Sequence, residues 1–249
     1  VKLSIISDLE KADLIIPKIS EFSNSQTKVP SSAFSVRHPF HERIENYSRS
    51  VWTPAKTGRV ETHWFYERVQ GQYRNAYNLK KTISERKIFE RNNPKNQVIK
   101  REELAKYLLT FNLMPEKVSL GAQKCYARFC DSYLKVDEEG KGLVGPEINQ
   151  FFFQEICAKA LLFRSLEKRI KQDIRFVATP YTLALIVLSL RNQGLVFDYQ
   201  KIWNAQWEIE ELINEISKLS EIVILYLRSN MPSEFSLLSE WAKKEVCWN

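Results

Sequence analysis

The chain has 249 residues, of which 44% are hydrophobic and 27% charged, with a formal net charge of +7. That balance excludes a disordered chain and supplies core for one large domain or two small ones. Seven glycines are few for an enzyme built on Gly-rich nucleotide loops, and no run of about 18 apolar residues marks a membrane span.

The elements follow in chain order. VKLSII at the start is a strand candidate and no signal peptide. Asp8 can cap a helix through LEKADLIIPKISEF, kinked at Pro17 because proline lacks the amide donor. SNSQTKVPSSAF is a loop. In HPFHERIENYSRSVW, Phe40, Ile44, Tyr47 and Val51 recur at helical spacing, and TPAKTGR ends that helix. RVETHWFYERV is ambiguous, with its β-branched start favouring a strand that puts Trp64 and Tyr66 on one face. GQYRNAYNLKK then turns or stays extended. TISERKIFERNN is a short helix stopped by Asn-Asn-Pro, and QVIK is a short strand or turn.

REELAKYLLTF is a helix with Leu104, Leu108 and Phe111 inward, and Glu102 and Glu103 suit its positive end. Pro115 to Leu120 is a linker. GAQKCYARFCDSYLKV is helical with Cys125, Phe129 and Tyr133 on one face. EINQFFFQEICAKALLFRSLEKRIKQDI is a long helix or helix pair. TPYTLALIVLSLRNQG has Thr179 as cap, Pro180 at the first helical position, Gly194 as the C-terminal cap and a bundle-centre apolarity. AQWEIEELINEISKLSEIVILYLRSN packs through Ile209, Leu212, Ile216, Leu219, Val223 and Tyr226. SLLSEWAKK is a last short helix. The fold expected is mostly α: a helix-rich 1–136 half with a few short strands, a polar hinge at 137–145, and an all-helical 146–249 half, within two units or one compact domain.

The charge is unevenly placed. Residues 37–128 hold nineteen Lys or Arg against nine acids, whereas residues 201–249 hold five against eight. A clustered excess is the usual footprint of a polyanion, although a merely solvated face is the plainer alternative. Free thiols at Cys125, Cys130, Cys157 and Cys247 suit a reducing, cytoplasmic setting. No Walker loop, GxGxxG run or GxSxG elbow appears. His38, His41 and His63 lack the companions that structural zinc needs, and DEEGKG is no calcium loop. No metal or cofactor is expected, and a complete active site in this stretch is not expected either. The chain starts without Met, inside an apparent strand, and reads as a piece of a longer polypeptide.

THWFYERVQGQYRNA, residues 62–76, packs four large aromatics with an acid and two arginines. One reading makes Trp64, Phe65 and Tyr73 core residues, with Glu67 paired to Arg68 or Arg74. The other makes the segment a surface, where Tyr66 and Tyr73 stack bases and arginines pair with phosphate. The phosphate-contact candidates are Arg68, Arg74, Lys80, Lys81, Lys95 and Lys100. His41 is a candidate general acid or base because it titrates near neutrality, with a core or cap role as the alternative. Glu67 is a second catalytic candidate.

FSNSQTKV, HPFHERIE, WFYERVQGQY, NNPKNQVIKREELAKY, VSLGAQKCYARF and SEWAKKEVCW, in that order, resemble the C-terminal portion of the abortive-infection phage-resistance (AIPR) protein family. The resemblance implies bacterial phage defence acting on nucleic acid, with a restriction-type nuclease region upstream in many relatives. It also matches the family's polar loop signature to Asn24 and Gln26, which either read a base edge or shape the loop. The partners expected are nucleic acid, the rest of the polypeptide or another subunit, and a second copy of the chain; no membrane is expected. The alternative is a structural or sensing module that contacts protein through an apolar patch, with the 206–227 helix as its natural place.

Overall fold

The structure is a computed structural model that describes residues 38–54, 60–134, 148–205 and 208–249. The expected strand at VKLSII, the helix with Pro17, Asn24, Gln26 and the hinge at 137–145 lie outside the described residues.

Helix α1, Pro39–Ser50, begins where the His38 imidazole Nδ1 accepts from the Phe40 amide at 3.2 Å, and proline opens the first turn. It buries Phe40, His41, Ile44 and Ser48. Strand β1, Phe65–Glu67, runs parallel to β2, Val98–Lys100, with Phe65 opposite Val98 and Glu67 opposite Lys100. A parallel pair needs a crossover between its strands. Here the crossover is a helical hairpin, α2 (Gln72–Asn78) and α3 (Ile83–Asn92), followed by a single 3₁₀ turn. The arm is thus fixed at both ends by the same two-stranded ribbon.

The remaining described helices form a bundle. They are α4 (Arg101–Phe111), α5 (Pro115–Val118), α6 (Ala122–Phe129, running into a π turn), α7 (Gln150–Arg169), α8 (Arg175–Asn192), α9 (Tyr199–Ala205), α10 (Glu210–Ser229) and α11 (Leu238–Trp241). Helix α4 packs on α6 and α7, α7 also meets α8 and α9, and α10 lies across α8 and α7. One continuous core joins Phe40, Trp64, Phe111, Phe163, Tyr181 and Trp241, so both halves of the chain share it. The fold is mostly α. Among the described residues no helix is long and apolar enough to cross a membrane.

Several local expectations need correction. Trp64, Phe65, Tyr66 and Glu67 are all buried, so β1 has no open face to alternate with. Residues 72–78 are helical, because Gly71 takes a left-handed φ of 87° that ends the extended run. Pro115–Val118 is a helical turn rather than a linker. Helix α8 starts at Arg175, four residues before the expected cap, and carries Pro180 inside it; Thr179 is buried, not capping. Gly194 does close α8 with φ 70°, its amide donating to Arg191 and that of Leu195 to Leu190. In α10 the buried stripe is Ile213, Ile216, Ser220, Ile224 and Leu227, while Leu219 and Tyr226 face out.

Candidate nucleic-acid interface

The sequence brings aromatics and cations together twice, and the two places differ. The first is a knot around β1. Tyr66 is 1% exposed, and its hydroxyl lies 2.6 Å from His41 Nδ1. His41 Nε2 lies 3.0 Å from the Tyr126 hydroxyl. A neutral imidazole has one donor and one acceptor, so the two phenols satisfy it from both sides. Burial, with Arg101 nearby, lowers the His41 pKa to about 3. Burial raises the Tyr66 phenol far above its ordinary range.

Carboxylates surround this knot. Arg68 pairs with Glu42 at 3.2 Å and Glu45 at 2.8 Å. Arg49 lies 3.5 Å from Glu45, donates to the Tyr66 carbonyl at 3.0 Å, and stacks 3.5 Å above the Phe65 ring. The Glu67 carboxylate accepts from the Gly71 amide at 2.8 Å and the Tyr73 amide at 3.3 Å. It therefore caps the start of α2 and pairs with neither expected arginine. His41 and Glu67 are thus internal fasteners, and burial denies both a substrate. Tyr66 likewise offers no ring face for stacking.

The second place is the arm, residues 72–100. It holds eight Lys or Arg against two Glu, a net of +6. Neither α2 nor α3 buries a residue. A half-buried aromatic cluster holds the hairpin down: Tyr73 meets Phe65 and Phe89 edge-on or tilted at 5.2 Å, and its hydroxyl donates to the Asn93 carbonyl at 2.7 Å. The Tyr73 ring faces inward, toward that cluster. Of the two acids, Glu85 is occupied at the cap of α3, and Glu90 lies 3.4 Å from Lys95.

Arg74, Lys81 and Lys100 are exposed, and no ion pair is formed by their side chains among the described residues. Lys80 lies 5.8 Å from the Phe89 ring centroid. Arg74, Lys80, Lys81 and Lys95 thus belong to the arm, with Lys100 in β2, whereas Arg68 sits among carboxylates. Sequence reasoning missed Lys87 and Arg91, which are exposed and i,i+4 neighbours on α3; that spacing was the available signal.

Sequence reasoning also missed Arg164, the bolt between arm and bundle. From α7 it donates to the carbonyls of Asn96 at 2.8 Å and Val98 at 2.5 Å, to the Tyr107 hydroxyl at 2.8 Å and to Glu103 at 3.0 Å. Among the described residues no three His, Cys, Asp or Glu gather as metal ligands.

The family model described as AIPR protein matches residues 1–231 of the chain. No curated protein and no solved structure matches it significantly. With most of its length and the whole basic arm inside that match, this chain belongs to the AIPR family of abortive-infection phage-resistance proteins.

Proposed function

We propose that, within the phage-resistance role its family implies, this chain is a module that binds and positions nucleic acid. The arm formed by α2, α3 and β2 is its phosphate-contacting surface. One observation carries the reading: a +6 segment stands on the outside of the fold with its own acids already engaged. Arg74, Lys81, Lys87 and Arg91 make the contacts, supported by Lys95 and Lys100. The arm is rigid at its base because Arg164 and the paired strands hold it, so little ordering cost accompanies binding. Holding the target is the task of these residues; cleavage is assigned to other parts of the polypeptide or to other subunits.

The test is fluorescence anisotropy with labelled single- and double-stranded DNA and RNA at two salt concentrations. Each phosphate neutralised steepens the salt dependence by a slope of about 0.9 on duplex DNA. Replacing Arg74, Lys81, Lys87 and Arg91 with Gln should lower the slope by roughly 3 to 4. Salt-independent binding, or a slope indifferent to the four changes, would sink the proposal.

A second reading has its own observation. Leu219, Ile222, Leu225 and Tyr226 stand exposed along α10. An apolar stripe of that kind suits contact with protein, in a structural or sensing module that binds no nucleic acid. Under that reading Ile222→Glu changes the sedimentation behaviour of the chain or its complex, and the arm variants change nothing.

A further inference from the structure

The arm ends in a tip of unexpected chemistry. Leu79 is 80% exposed and Ile83 is 73% exposed, with Lys80, Lys81 and Thr82 between them. Tight connections of this kind normally carry polar residues or glycine. This tip is also stiff. The Glu85 carboxylate accepts from the Lys81 amide at 2.8 Å and the Thr82 amide at 3.0 Å, while the Thr82 hydroxyl accepts from the Glu85 amide at 3.1 Å. The Arg86 guanidinium donates to the Lys80 carbonyl at 3.1 Å. The Leu79 amide donates back to Asn75 at 3.0 Å, closing α2. Two aliphatic side chains are thus held out to water on a fastened turn flanked by cations.

We propose that Leu79 and Ile83 form an apolar wedge that enters a base step of duplex DNA from the groove while the arm's cations hold the flanking phosphates. The inference rests on the phosphate-binding reading above and names its target as a duplex. The side chains themselves make the choice. Single strands are held by exposed aromatic faces on which bases stack, and here Phe65, Tyr73 and Phe89 are packed against one another. Aliphatic wedges instead part stacked pairs and kink the duplex. A lipid surface would call for a longer apolar face, whereas the tip offers two residues.

The test uses the whole chain and a short DNA duplex with a central 2-aminopurine, whose fluorescence rises when it is unstacked. Wild type should raise the signal on binding. Leu79→Ser with Ile83→Ser should abolish the rise and weaken binding about tenfold, with the salt slope unchanged. Because both side chains already face solvent, the variant should keep the wild-type circular dichroism and melting temperature. Salt-dependent binding with no fluorescence change, equal in wild type and variant, overturns the wedge and leaves the phosphate reading standing. Absence of duplex binding even at low salt overturns both. Co-sedimentation with phosphatidylserine vesicles in place of duplex binding would overturn the wedge in favour of a lipid surface.

Discussion

The knot around β1 and the arm beyond it are built from the same residue types, yet one is closed and the other open. In the knot, Arg49 and Arg68 face Glu42 and Glu45, and Tyr66 is sealed against His41. In the arm, eight cations share two acids that already have duties. The difference lies in where the carboxylates are. An arginine with a carboxylate neighbour is a structural part, whereas one without is available to a partner.

Breaking the knot should hurt stability most. Trp64 is 2% exposed within the core, so Trp64→Ala should cost about 4 kcal/mol, a fall in melting temperature on the order of 10 °C by differential scanning calorimetry. Severing the arm from the bundle comes next. Arg164→Met leaves two carbonyls, a phenol and Glu103 without their donor, and should cost about 3 kcal/mol. Urea titration checks this, and nucleic-acid affinity should fall with it, because the arm loses its footing.

The third test uses pH. Folded His41 stays neutral until about pH 3, whereas in the unfolded chain it protonates near 6.5. Below 6.5 the unfolded state therefore binds the extra proton, and stability falls as pH drops through that window. At pH 5 the loss from His41 should be about 2 kcal/mol. His41→Gln should remove about one proton from the pH dependence of unfolding. His38 and His63 are lowered by burial too, so a smaller slope should remain. The smallest effect on stability belongs to the arm. Arg74→Gln, Lys81→Gln, Lys87→Gln and Arg91→Gln together should change the unfolding free energy by no more than about 0.5 kcal/mol per site.

Much of this fold was legible in the sequence because its signals are local. Asn-Asn-Pro announces the end of α3, and Gly194 marks the end of α8. The apolar periodicity of α1, α4 and α7 needs only neighbouring residues to be seen. What was hidden depends on contacts far apart in sequence. Helix α2 is short, and its cap is Glu67, which reaches two amides across Gly71. The pair Tyr73 and Tyr77, four apart, was the one helical signal there. Helix α10 carries two apolar stripes, and only packing against α8 and α7 decides which is buried.

The candidate site followed the same rule. The excess of cations in residues 37–128 was countable, but the fate of each was not. Arg68 lies 26 residues from one of its partners, Glu42, which no local pattern reveals. Arg74 and Lys81 stand open because, among the described residues, no carboxylate folds back on them. His41 has the residue type of an acid–base catalyst, yet the fold places a phenol on each of its nitrogens.

The most direct test sets the two regions against each other on one labelled DNA duplex. Salt titrations would compare wild type, the four-site arm variant and a knot variant, Arg49→Gln with Arg68→Gln. The arm variant should lose most of the salt slope, and the knot variant, where it remains folded, should keep it. A knot variant that loses the slope while the arm variant keeps it would contradict the account.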